Sequence, residues 1–250
     1  MATVAALWRH PIKSHGREAM ESLTLASGQT IPFDRVWAVV HDASGYDTAT
    51  PAWATCQNFM IGSRNPALAA LWAKVDGARV ALTHPDLGQF TFDPDDPADA
   101  ARFIAWIMPI CPQDRARPCA LVRVAGRGMT DTDYPSVSVM NRASHGAVAT
   151  HLGGHLEEER WRGNIWLDGL APWTETAWPG RRLRVGTAEL SIREPIPRCL
   201  HTAANPMTGE RDADTLGALQ TLTGTRDFGV YAEVLNGGTI RPGDMGELVP

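Results

Sequence analysis

The chain has 250 residues, a formal net charge of −5 and 44% hydrophobic residues. That length allows one large domain or two small ones with a substantial core, and the acidic balance argues against a nucleic-acid-binding surface. No apolar run reaches the ~18 residues of a membrane span, so no membrane partner is expected.

The N-terminal stretch MATVAALWRHPIKS lacks a basic segment before its apolar run, so it reads as a first strand over 3–9 rather than an export signal. His10-Pro11-Ile12-Lys13-Ser14-His15-Gly16 is then a short loop bracketed by proline and glycine. It presents Lys13 and Ser14, a point charge and a hydroxyl suited to a phosphate, although an ordinary solvated loop has the same composition. Only Lys13 and Lys74 are lysines in a chain otherwise rich in arginine. A strand is expected over 19–25, and the bulky, β-branched run after Asp34-Arg35 reads as a buried strand with Arg35 at its entrance. Residues 41–63 lack periodicity and read as a long loop. Pro66 suggests a helix over 66–74, followed by strands near 78–83 and 88–92. A second helix is expected over 97–108, with Ala101, Ile104, Ala105 and Met108 as its core stripe.

The proline-rich joint at 109–118 is the expected boundary between regions 1–112 and 113–250. Strands follow at 119–124 and 136–140. Asn141 reads as the N-cap of a helix to about 152. Arg142 in the first turn makes an anion site conceivable there, although a capped helix with a solvated arginine reads equally well. Arg160-Trp161-Arg162-Gly163-Asn164 opens another strand. A hairpin is expected around Gly186-Thr187, a short helix over 216–222, and final strands over 228–235 and 244–249. The sum is a strand-rich α+β chain with few helices.

The stretch with the most chemistry is Ile192–Gly209, IREPIPRCLHTAANPMTG. Pro195 and Pro197 stiffen the approach to Cys199 and exclude a helix. Arg198 beside the thiol favours the thiolate, which is both the nucleophilic and the metal-ligating form; a small buried hydrophobe is the plainer alternative. The other cysteines, Cys56, Cys111 and Cys119, form no C-x-x-C pair, which argues against a zinc ribbon or iron–sulfur centre. All four are expected to be reduced thiols of a cytoplasmic protein.

HPIKSHG, DRVWAVV, RWRGNIWLDG, IPRCLHTAANPMTGERD and FGVYAEVLNGGTIRPGD together, and in this order, resemble the MOSC family, named for the C-terminal domain of molybdenum-cofactor sulfurase. The resemblance covers nearly the whole chain, including an N-terminal β-barrel-like region. It implies a MOSC β-barrel core with a cofactor cleft between the two regions. By layout the chain is similar to the mitochondrial amidoxime-reducing component and to bacterial reductases of N-hydroxylated bases.

The resemblance implies a molybdopterin cofactor with Cys199 as molybdenum ligand. It places cofactor-binding roles on Lys13, Ser14, Arg35, Asn141, Arg142, Ser144, Arg162 and Asn164. It places an acidic residue near the metal at Asp133, with Asp131 close enough to confuse the register. His201 is a further candidate for proton transfer. His10 stands where the family usually has tyrosine, and the loop at 41–63 is longer than usual. The implied activity is reduction of a small N-hydroxylated substrate with electrons from a separate ferredoxin- or flavoprotein-type donor. The rival readings are a sulfur carrier using a Cys199 persulfide and a non-catalytic cofactor carrier.

Overall fold

Period-two burial governs most of the chain. The structure, a computed structural model, describes residues 2–249. Its elements are β1 (Ala2–Arg9), β2 (Glu18–Ala19), β3 (Leu23–Leu25), β4 (Trp37–His41), β5 (Trp72–Asp76), β6 (Arg79–His84), β7 (Gly88–Phe92), α1 (Pro97–Ile107), β8 (Pro118–Arg123), β9 (Val137–Asn141), α2 (Arg142–His151), β10 (Ile165–Asp168), β11 (Arg182–Val185), β12 (Ala188–Pro197), α3 (Thr215–Thr223), β13 (Asp227–Asn236), β14 (Gly238–Ile240) and β15 (Met245–Val249). It is strand-rich with three α-helices among the described residues. No helix among them is long and apolar enough to cross a membrane.

Seven strands close a barrel in the order β1-β10-β9-β13-β12-β11-β15 and back to β1. Every neighbouring pair is antiparallel except β10 with β9. Alternate residues fill the interior: Val137 and Val139, Ile165 and Leu167, Leu183 and Val185, Leu190 and Ile192, Val230, Ala232 and Val234 are all buried in one cluster, as a two-residue side-chain period requires. β1 sits between β10 and β15, so the first strand of the chain completes a barrel otherwise built from residues beyond 136.

A second layer holds β4 paired with β8, the β5-β6-β7 meander, and α1. β4 is buried on both faces. Trp37 and Val39 join the cluster with Phe92, Phe103 and Ile107, while Ala38 and Val40 pack with Phe59, Val122 and Met129. Such a strand reads as a continuous apolar run.

Two local expectations are corrected. The segment 66–74 is not a helix: Pro66–Ala70 is a short 3-10 turn, and Trp72–Asp76 is β5, paired with β6. A lone helix of that length is marginal, and the ladder to β6 decides otherwise. On α1 the buried residues are Phe103 and Ile107, whereas Ala101 and Ala105 are exposed and Ile104 and Met108 only partly buried. Phe103 stacks on Phe92 at 4.7 Å, and this large contact sets the rotation of the helix.

Pairing crosses the joint at 109–118 four times, through β1 with β10, β1 with β15, β3 with β14 and β4 with β8. A chain starting at residue 113 therefore leaves β10, β15 and β8 with unpaired edges. Such a fragment is expected to show no cooperative thermal transition by circular dichroism while the full chain does; a sharp transition in the fragment would refute this account.

Candidate functional site

Strand register sets the floor of the site. Ser138 on β9 and Tyr231 on β13 are partners across the ladder. Each alternates with interior valines and alanine, so both face out of the barrel. β12 runs beside them, with Glu194 opposite Tyr231. The ladder shifts register between Ile192 and Glu194 and again between Pro195 and Pro197, irregularities that accommodate residues without an N–H. The strand therefore stays extended through Pro197 and delivers Cys199, as its two prolines suggest.

Loops from both layers close over this floor around about 610 Å³ of space. Lys13, Arg35, Arg160, Arg162 and Arg198 line it beside Cys199, with Asp131 as the one carboxylate. Three of the lining residues, Ser14, Arg35 and Arg162, hold left-handed backbone conformations with φ of 63°, 53° and 51°. Such positions cost about 1–3 kcal/mol each and persist where surrounding contacts over-determine them. Here the contacts are explicit. Arg35 N donates to His10 O at 2.6 Å, Met129 N donates to Arg35 O at 2.7 Å, and Arg162 N donates to Glu159 O at 3.1 Å. Gly163 follows because a Cβ there would lie 2.1 Å from Met140 Cγ.

The cations are not equally compensated. Arg35 pairs with the fully buried Asp34. Burial alone would push the Asp34 carboxyl up, but Arg35 and the hydrogen bonds from His10 hold it far below the ordinary carboxylate range. Arg160 pairs with Glu157 at 2.6 Å and Asp212 at 2.7 Å. Lys13 Nζ donates to Met129 O at 2.9 Å and contacts Asp131. The Asp131 side chain is 55% exposed, so solvent screens that pair.

Arg162 and Arg198 have no acidic hydrogen-bond partner. Arg162 Nη1 donates to Gly16 O at 3.0 Å, and its buried Nη2 has no partner. Burial, then the neighbouring Arg35, lowers the Arg162 guanidinium to about 9. Arg198 donates to the carbonyls of Trp161 and Phe228, both at 2.8 Å, and burial lowers it to about 10. Two desolvated cations that form no ion pair among the described residues make this part of the cleft attractive to negative charge.

Cys199 is exposed and begins a short turn, with Thr202 N and Oγ1 donating to its carbonyl at 3.2 and 3.1 Å. Burial raises the thiols of Cys56, Cys111 and Cys119. Beyond Cys199 the cleft opens into an outer lobe of about 900 Å³ whose charged lining residues are Asp131, Asp133 and Glu194. Its far wall is Cys56 and Ile61–Ser63 from the long loop. Gly62 seats this wall: a Cβ there would lie 1.6 Å from His201 Nδ1. Burial, then Arg162, lowers His201 to about 3, so the ring is neutral at physiological pH.

Of the residues singled out in sequence, Lys13, Ser14, Arg35, Arg162 and Cys199 converge on the cleft, and Asp133 lies in its outer lobe. Asn141, Arg142, Ser144 and Asn164 do not line it. Asn141 caps α2, and its Nδ2 donates to Ala171 O and Glu175 Oε2. Ser144 also donates to Glu175, whose carboxyl burial pushes up. Arg142 pairs with Glu158. Asn164 is buried, accepts from Ser138 N and Oγ, and donates to Trp8 O and Asp34. Tyr231, Ser138 and Arg160 escape sequence reading. Tyr231 and Ser138 reach the cleft only through register, and nothing local marks them.

Residues 1–108 match the MOSC N-terminal beta barrel domain, and residues 129–246 match the MOSC domain. The chain is similar to a molybdenum cofactor sulfurase of Caenorhabditis briggsae, 32% identical over 124 residues, and to those of Caenorhabditis elegans, 30% over 124, and Drosophila ananassae, 27% over 139. The matches cover 47%, 47% and 52% of this chain but only 17% of each of those proteins. Among solved structures, the YuaD protein of Bacillus subtilis aligns over 99% of this chain and 96% of its own, with 15% identity and a TM-score of 0.46. YiiM of Geobacillus stearothermophilus aligns over 46% of this chain and 54% of its own, with 22% identity and a TM-score of 0.36. With both domain matches in chain order over most of its length, the chain belongs to the MOSC family.

Proposed function

We propose that this protein is a molybdenum-cofactor-dependent reductase of small N-hydroxylated bases, supplied with electrons by a separate ferredoxin- or flavoprotein-type partner. The observation that carries the reading is the charge arrangement around one exposed thiol. On one side of Cys199 lie Arg162 and Arg198 with no ion pair among the described residues; on the other the outer lobe adds Asp133 and Glu194 to the Asp131 that both sides share, and no lysine or arginine lines it.

The donor set fits a phosphorylated pterin bearing a soft metal. Arg162 Nη2 is buried without a partner, and Arg198 is paired only with carbonyls and the Met140 sulfur. Lys13, Ser14, Arg35 and Arg162 would hold the phosphate, and the Cys199 thiolate would ligate molybdenum. When bound, the cofactor supplies a two-electron centre able to take the oxygen from an N–O bond. The balance is R–NHOH + 2 e⁻ + 2 H⁺ → R–NH₂ + H₂O.

The chain's own residues do the rest. Asp131, Asp133 and Glu194 attract and orient a protonated base in the outer lobe. Burial, then Asp131, raises the Tyr231 hydroxyl, which therefore keeps its proton at Oη between the two lobes. A neutral His201 cannot act as an imidazolium donor. Gly62 packs closely against that ring.

One observation favours a second reading: similar proteins are named molybdenum cofactor sulfurases, and the exposed Cys199 thiol could carry a persulfide. Protein produced in a cofactor-competent host separates the two. Bound molybdenum and pterin, with turnover of a hydroxylated amidine by an artificial donor, is the expected result. Labile sulfur on Cys199 without metal would replace the reductase reading with sulfur transfer.

Cys199→Ala is expected to abolish turnover and to remove the protein sulfur shell from the molybdenum X-ray absorption spectrum; an unchanged spectrum would exclude Cys199 as ligand. Lys13→Ala and Arg162→Ala each remove a charge-assisted hydrogen bond worth about 1.5–3 kcal/mol, roughly ten- to a hundredfold in affinity. Both variants are expected to lose pterin on dialysis while melting as cooperatively as wild type. Retention equal to wild type in both would move the phosphate elsewhere.

A further inference from the structure

A second cavity, of about 570 Å³, is lined by the segment after the long loop and by the proline-rich joint. It shares only Ile61 with the outer lobe and no residue with the basic cleft. Its wall includes the buried Phe59 and Met60. Pro112 and Ala116 add further apolar surface from the joint.

Two buried polar groups in this wall lack partners. Asn65 is 2% exposed; its Nδ2 donates to Cys111 Sγ, and its Oδ1 accepts nothing. His41 is 7% exposed; its Nε2 bonds to Gln57 O at 2.8 Å, and its Nδ1 has no partner. A carbonyl partner requires the proton on Nε2, which leaves Nδ1 of the neutral ring as an acceptor. Buried acceptors normally find a donor, and those that do not call for a specific explanation.

Two cations also lack partners here. Arg64 and Arg115 line the cavity, are exposed, and form no ion pair or side-chain hydrogen bond among the described residues. A third, Arg211, is tied to the same segment by its hydrogen bond to Ser63 O at 2.7 Å. Apolar walls, two wall residues with unfilled acceptors, and guanidiniums at the surface without an ion pair among the described residues describe the complement of one ligand class.

We infer that this cavity is a binding site for a small amphipathic anion: an apolar or aromatic body with an N–H or O–H donor for Asn65 and His41, and a carboxylate, sulfonate or phosphate held by Arg64 and Arg115. This site is independent of the proposed reductase activity. A ligand here would touch Ile61, the residue it shares with the outer lobe.

The probe is 8-anilinonaphthalene-1-sulfonate, which carries an apolar body, one N–H and one anionic group. Titration of the full chain followed by fluorescence is expected to give saturable binding of one equivalent. The double variant Arg64→Ala/Arg115→Ala alters only exposed side chains and is expected to weaken binding at least tenfold. Ala116→Phe, which fills the cavity by a separate route, is expected to do the same. Arg162→Ala in the basic cleft is expected to leave the affinity unchanged. No saturable binding, an unchanged affinity in the Arg64/Arg115 variant, or loss of binding only in Arg162→Ala would each overturn the assignment. None of these outcomes depends on bound molybdenum, so failure here is distinct from failure of the reductase reading.

Discussion

The carboxylate of Asp34 has no exposed surface, and three other residues are arranged around it. Its Oδ1 accepts from His10 N at 2.7 Å and from Asn164 Nδ2 at 3.1 Å, and its Oδ2 pairs with Arg35. Each partner positions something further. His10 anchors the loop that presents Lys13 and Ser14. Asn164 takes hydrogen bonds from Ser138 on the floor of the cleft. Arg35 Nη2 reaches the carbonyl of Arg162 at 3.0 Å. A buried charge is tolerated only when paired and fully hydrogen-bonded, and removing one partner typically costs about 3–5 kcal/mol. The geometry of the cation cluster therefore depends on one anion that does not itself line the cleft.

That arrangement explains how strained backbone and crowded positive charge coexist. Ser14, Arg35 and Arg162 hold conformations that side chains ordinarily avoid. They do so between a closed barrel and a packed second layer, neither of which can relax without breaking ladder hydrogen bonds. Arg17 adds a clamp from the other direction. Its guanidinium lies 3.9 Å from the Trp72 ring and donates to Ala69 O, Leu71 O and Pro206 O. It thereby ties the turn after Cys199 to the N-terminal layer. The thiol is exposed, but its surroundings are rigid, as the proposed role of metal ligand would require.

The division of charge within the cleft follows from the same layering. Cations come from segments next to the barrel strands and from the loops anchored on Asp34. Carboxylates come from the loop before β9 and from the outward face of β12. The long loop adds an uncharged wall at Ile61, Gly62 and Ser63. Under the proposed function, this field would draw a cofactor anion to one side and a cationic substrate to the other before any specific contact forms.

Much of this was legible in the residues. Apolar runs and turn signals marked the barrel strands, Asn141 marked the start of α2, and Pro195 and Pro197 marked a stiff extended approach to Cys199. These signals are local, because side-chain period, capping and proline stereochemistry act within a few residues. Lys13, Arg35 and Arg162 stood out through their motifs, but nothing local showed that they meet. Tertiary structure alone decided the rest. Residues 72–76 became a strand because β6 offers them a ladder. Phe103 and Ile107, rather than Ala101 and Ala105, turned inward because Phe92 lies there to be stacked upon. Tyr231 and Ser138 entered the cleft through register, and Lys13 met Asp131 across 118 positions of sequence. Each of these depends on a partner far along the chain, and a pairing of that kind has no energy until the fold brings the two segments together.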